Sequence, residues 1–221
     1  MRNIVFIYAL FIGIITIENT HSESIAIIPD EKSELDGNDV SIYFQAGVDN
    51  KSMAELQSAI EMVNVNYKNV KNINLYIVSG GGHLHAAWAA SLTIKNSKIP
   101  VRTINMAMTA SAATVLYCAA DERYTMNGAT FVLHAVSKEM VEPELTPDKI
   151  EQQLHSYQIA NKLLEETYKN CTNYTDASIK EILDSRYFTK HLTSKEANDL
   201  GISKISLKEM LPSAGAVFIH D

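Results

Sequence analysis

The sequence predicts an α/β fold with a mostly parallel sheet. Apolar runs of β type alternate along the chain with segments whose apolar residues recur every three to four positions. Strands alternating with helices imply crossover connections and parallel pairing. The chain has 221 residues, enough for one sizeable α/β unit, with 46% hydrophobic and 20% charged residues, an ordinary globular balance.

Residues 40–44 (VSIYF) are the first strand candidate, and residues 45–50 are turn-like. Residues 51–67 place Met53, Leu56, Ile60 and Val63 at helical spacing. Residues 73–78 form a β-rich apolar run that ends in glycines. Residues 85–94 read as helix, Pro100 stops that element, and residues 101–108 form the next strand. Residues 111–120 read as helix. Residues 124–126 and 130–133 are short strands around the turn dipeptide Asn127-Gly128.

Residues 148–169 form a long polar helix with Ile150, Leu154, Tyr157, Ala160, Leu163 and Leu164 on one stripe, announced by Thr146-Pro147-Asp148. Residues 175–184 form another helix. Thr193 and Glu196 have the spacing of a capping box, and Gly201 closes the helix that follows. Residues 23–38 read as a linker, acidic and polar from position 31. Residues 209–221 read as a C-terminal tail, without a readable signal from Leu211 on.

Charge and targeting bound the function. The net charge is −7 with no Lys/Arg-rich run, which argues against a nucleic-acid partner. Arg2 precedes an apolar stretch over residues 4–17. That stretch is short for a membrane span of about 20 residues and suits a signal-peptide core. Residues 1–22 are therefore read as a signal peptide cut after Ser22, giving an exported chain, periplasmic or secreted. The competing reading is an uncleaved membrane anchor. An exported chain can pair Cys118 with Cys171. The apolar helix around Cys118 favours instead a buried free thiol.

Chemistry concentrates in three places. Ser79-Gly80-Gly81-Gly82 follows a strand and exposes bare backbone N–H groups. It lacks the spacing of a phosphate-binding glycine loop. Ser111 stands at a strand-to-helix turn among Ala110, Ala112 and Ala113, which are too small to cover it. A serine there can be a plain helix cap or a nucleophile on a sharp turn. His134 ends the apolar run 131–133. Nucleophile, base and main-chain donors are the parts of acyl transfer. His83 and His85, two residues apart with no acidic or cysteine cluster nearby, read as loop or helix-start residues, and no metal or cofactor is expected.

In this order and spacing the motifs resemble the proteolytic subunit of the Clp protease, within the Clp/crotonase fold. The family's Ser-Pro-Gly-Gly loop is similar to Ser79-Gly80-Gly81-Gly82, with Gly80 in place of proline. Its Ala-Ser-Met-Gly turn is similar to Ala110-Ser111-Ala112-Ala113, and its Met-Ile-His-Gln to Val132-Leu133-His134-Ala135. The helix from Asp148 resembles its handle helix, and residues 192–201 resemble its Leu-Ser-Ala-x-Glu-Ala-x-x-Tyr-Gly segment. The resemblance implies a stacked, mostly parallel sheet with flanking helices and a protruding long helix, a protease-like domain over residues 39–208, and a homo-oligomer.

It also implies a serine endopeptidase acting on peptides or unfolded proteins. Ser111 would be the nucleophile, His134 the general base, and the N–H groups of Gly81 and Ala112 the oxyanion hole. The family's triad aspartate falls on Thr189, and Asp184 is the nearest upstream carboxylate. This departure implies weak activity, or a catalytically degenerate scaffold. A Ser–Lys dyad peptidase using Lys138 and a crotonase-type acyl-CoA enzyme compete with the serine–histidine assignment. Export leaves no evident ATP-dependent chaperone partner.

Overall fold

Two clusters of strands share one long strand, and the candidate site lies where that strand passes between them. The computed structural model describes residues 23–27, 35, 37–67, 69–137, 146–184 and 189–221. In chain order the elements are β1 (Glu23–Ile27), β2 (Val40–Gln45), α1 (Asn50–Asn66), β3 (Ile73–Ser79), α2 (Leu84–Lys95), β4 (Val101–Ala110), α3 (Ala113–Cys118), β5 (Glu122–Met126), β6 (Thr130–Leu133), α4 (Pro147–Cys171), α5 (Asp176–Asp184), β7 (Lys190–Thr193), α6 (Ser194–Asp199), β8 (Ile205–Leu207) and β9 (Gly215–His220). The signal-peptide expectation falls on residues 1–22, outside the described residues.

The sheet runs β1-β9-β2-β3-β4-β5-β8. It is parallel from β9 to β8, and β1 lies antiparallel on β9. This is the expected α/β class. β4 changes partner along its length: Arg102–Asn105 pairs with β5, and Met108–Ala110 pairs with β6, which carries β7 antiparallel. Between Asn105 and Thr109, β4 uses two residues more than β3 does between Ile77 and Ser79, so it bulges. A bulge bends a strand and re-aims its end. Here the end of β4 stays paired with β3 at Thr109 and takes β6 in place of β5 on its other side.

One face of the sheet is apolar and supplies the core. Ile42, Phe44, Ile73, Leu75 and Ile77 are fully buried, with Leu56, Ile60 and Val63 of α1 and Ala87 and Ala90 of α2 in the same cluster. Such strands, covered by crossover helices, read as nearly continuous apolar runs. On the opposite face Tyr43 stacks between Tyr76 and Phe218, with ring centroids 5.0 and 4.7 Å apart. The tail that carried no signal thus provides an inner strand. β9 lies between β1 and β2, and its period-2 alternation Val217, Ile219 (buried) against Phe218 (half-buried) is the pattern of a strand.

The helix boundaries are chemically marked. Asp49 caps α1 in a box with Ser52, and Thr193 caps α6 in a box with Glu196, the latter as expected. Gly201, at φ 74°, follows the end of α6. The N-terminal turns of α4 are exposed nearly all round, including Ile150 and Leu154, whereas Ala160, Leu164, Tyr168 and Cys171 are buried. The stripe predicted for this helix is therefore buried only over its C-terminal half, and the other half protrudes.

The expectation of a free Cys118 is corrected. Cys118 at the end of α3 and Cys171 at the end of α4 form a disulfide, with Cα atoms 5.5 Å apart. Leu164 and Tyr168 seat α4 on α3, and Cys171, one turn further on the same side, meets Cys118. Local apolar spacing around Cys118 did not reveal a partner separated by 53 residues.

Two outcomes follow. Under non-reducing conditions the intact mass is that of a chain short of two hydrogens, and reduction lowers stability by roughly 2–4 kcal/mol in urea denaturation, the usual range for such a cross-link. A chain ended at Lys208 loses β9, exposes the β2 edge, and shows no cooperative unfolding or is insoluble.

Candidate active site

The end of β4 brings the predicted residues together. Ala110 is paired with Val132 of β6, and the Ser111 N–H donates to the Val132 carbonyl at 2.9 Å. His134 lies two residues beyond Val132, so Ser111 and His134 emerge side by side from neighbouring parallel strands. Both are half-buried. No direct hydrogen bond joins them among the described residues. Catalytic contacts in unliganded sites are often long and tighten with substrate.

Ser111 is the one non-glycine described residue at positive φ, 54°. A left-handed serine costs on the order of 1–2 kcal/mol and persists only where its surroundings hold it. Its carbonyl accepts two bonds from Thr114, one from the N–H at 2.9 Å and one from Oγ1 at 2.6 Å. Thr114 Oγ1 has thereby used its proton, so the phenol of Tyr168, 3.4 Å away, is the donor between those two hydroxyls. Burial pushes the Tyr168 phenol up to about 12, which keeps it protonated. The predicted helix from Ser111 begins at Ala113, and no side chain caps it. The capping explanation of Ser111 is therefore not the one realised, and its hydroxyl makes no hydrogen bond among the described residues.

The glycine loop packs directly on this turn. A Cβ on Gly81 would stand 2.7 Å from Ser111 Cβ and 2.9 Å from the Ala112 nitrogen. Gly81 is at φ 90° and Gly82 at φ 145°, conformations that suit glycine. The Gly81 N–H, the expected oxyanion donor, donates to Ser79 Oγ at 3.2 Å. Its neighbour Gly82 was not singled out from the sequence. Val48 donates to the Gly81 carbonyl and accepts from the His83 N–H, so Gly82 turns its own N–H away from Val48. No hydrogen bond takes up the Gly82 or the Ala112 N–H among the described residues. The local signal for Gly82 was the loop itself; only the pairing with Val48 separates it from Gly81.

The third position is different chemistry. β6 and β7 pair Leu133 with Lys190, and the next pair in that register is His134 with Thr189. Thr189 is exposed. Asp184, at the end of α5, directs its carboxylate to Lys180 at 2.5 Å. His134 Nδ1 contacts the carbonyl of Ala135 at 2.6 Å. A carbonyl only accepts, so Nδ1 carries the proton and Nε2 keeps a free lone pair. Lys138 lies outside the described residues. His83 stands at the N-cap position of α2 without a side-chain cap bond, and His85 is exposed in its first turn, so both are helix-start residues as expected.

Parallel strands whose carboxyl ends gather a serine, a histidine and main-chain amides place this chain among α/β proteins with a candidate site at the strand ends. The family model described as Clp protease matches residues 33–207, and the chain belongs to the Clp protease family. Among solved structures it is similar to a ClpP1 point mutant from Listeria monocytogenes, with 16% identity, a TM-score of 0.61, and coverage of 80% of this chain and 94% of that one. At that identity the likeness shows the fold. No curated protein sequence matches significantly.

The two glycines make a direct test of the packing. Gly81→Ala forces its methyl into Ser111 and lowers the melting temperature. Gly80→Ala, whose Cβ would meet nothing within 4 Å, leaves it unchanged. Thermal denaturation of both variants checks this.

Proposed function

We propose that the chain is a serine endopeptidase acting on peptides or unfolded polypeptides. The observation that carries this reading is Ser111, left-handed and half-exposed, with a hydroxyl that makes no hydrogen bond among the described residues, on the strand next to the one that ends in His134. A polar side chain held in a strained conformation with no structural duty is what a nucleophile requires.

In the proposed mechanism Ser111 Oγ attacks the peptide carbonyl while His134 Nε2 takes its proton. The carbonyl oxygen becomes an oxyanion held by the Ala112 N–H and an N–H of the glycine loop. Gly82 offers the open N–H there, and Gly81 lets the loop close against Ser111. The imidazolium then gives its proton to the leaving amine, the amine departs, and water hydrolyses the ester on Ser111.

Homo-oligomerisation belongs to the same proposal. Ile150, Leu154 and Ile159 on the protruding part of α4 are exposed apolar residues that a second copy would cover. Export is proposed from residues 1–22, and the disulfide supports it, since such bonds persist in oxidising compartments.

A fluorophosphonate probe tests the chemistry. The full chain is expected to label, and Ser111→Ala to abolish labelling. His134→Ala is expected to slow it by roughly 10²–10⁴-fold, the span of a general base's contribution. Labelling that survives His134→Ala and is lost in Lys138→Ala indicates a dyad. No labelling in any assembly state indicates a scaffold without turnover.

A further inference from the structure

Among the described residues no carboxylate bonds to His134, yet its ring is held, and one peptide group does the holding. The carbonyl of Ala135 accepts from His134 Nδ1 at 2.6 Å. The N–H of that same peptide group belongs to Val136 and donates to Oδ1 of Asn161, on α4, at 3.0 Å. The other end of the Asn161 amide donates through Nδ2 to the Leu183 carbonyl in the last turn of α5, at 3.1 Å. One partner is a donor and the other an acceptor, so the amide has one orientation.

We propose that Asn161 is the positioning residue for the general base, acting through the Ala135–Val136 peptide in the place where the family uses a carboxylate. The proposal rests on the reading of His134 as that base. The physical chain is short. Asn161 fixes the peptide plane by its bond to the Val136 N–H. A hydrogen bond accepted from one end of an amide raises the negative charge on the carbonyl at its other end. That carbonyl fixes the Nδ1–H tautomer and leaves Nε2 as the ring's acceptor. Thr189, opposite His134 in the register, is exposed, and Asp184 is engaged with Lys180. Neither takes this role.

Two substitutions separate the positioning role from simple bracing of α5. Asn161→Asp keeps an oxygen for the Val136 N–H and gives up the donor to Leu183. Asn161→Leu gives up both. With a peptide substrate, Asn161→Leu is expected to lower kcat roughly tenfold at unchanged KM, and Asn161→Asp to stay within about threefold of the parent, in line with the loss of one hydrogen bond. Equal losses in both variants, or parent-like kcat in Asn161→Leu, overturn the proposal.

The His134 ring provides a second readout that needs no turnover. Nitrogen NMR of the ring, assigned with His134→Ala, is expected to show the Nδ1–H tautomer in the parent and in Asn161→Asp, and a mixture in Asn161→Leu. An unchanged tautomer in Asn161→Leu overturns the proposal. A parent chain that shows the predicted tautomers and hydrolyses nothing refutes the peptidase reading, and the proposal falls with it, leaving Asn161 only as a structural hold on the His134 ring.

Discussion

The backbone of Ser111 at φ 54° is the constraint on which the site depends. In that conformation the chain leaves β4 and enters α3 within two residues, and the serine side chain stands at the turn instead of joining either element. The strain is held from three directions. Val132 receives the N–H, Thr114 supplies two bonds to the carbonyl, and Gly81 packs against Cβ. The bulge in β4 belongs to the same solution, since it swings the end of the strand from β5 to β6 and so brings it beside the histidine-bearing strand.

Helix α4 braces both halves of the candidate site. Its buried side carries Asn161, Leu164, Tyr168 and Cys171, spaced by three or four residues, as one helical face requires. Asn161 reaches the N–H of Val136 in the peptide after Ala135, Tyr168 the hydroxyl of Thr114, and Cys171 the disulfide to Cys118. The turn at Ser111 and the segment after His134 are thus referenced to one rigid rod, whose other half projects away from the body. The proposed oligomer contact on that half would therefore be linked mechanically to the site, because a shift of α4 along its axis moves Asn161 and Tyr168 together.

Much of this was legible in the sequence. The five central strands and the helices between them announce themselves through apolar runs and helical spacing, because burial against one sheet face demands such patterns. The capping box of α6 is local chemistry and was equally readable. Ser111 and His134 stood out as polar residues at the ends of apolar strands. What was missed depends on long-range pairing. The alternation of β9 becomes meaningful only beside β2, its partner far away in the chain. The disulfide joins helices that only the folded sheet brings together. The open N–H of Gly82 and the peptide link to Asn161 are backbone facts, and a residue string does not display which way a peptide plane faces.

Replacing a carboxylate with a peptide carbonyl separates two tasks that the usual triad combines. Holding the tautomer needs only an acceptor, and the Ala135 carbonyl is one. Stabilising the imidazolium needs negative charge. At about 4 Å a full charge is worth about 4 kcal/mol at an effective dielectric of 20, whereas a neutral hydrogen bond contributes about 1 kcal/mol net. On the proposed mechanism this difference falls on the step in which the serine proton reaches His134. Substrate docking and the amides that meet the oxyanion are untouched by it. On that mechanism the chain would keep the means to bind and orient a peptide and would be slow where the proton must move. Its carbonyl is also backed by a neutral amide on α4, so what strength it has depends on how firmly that helix is seated.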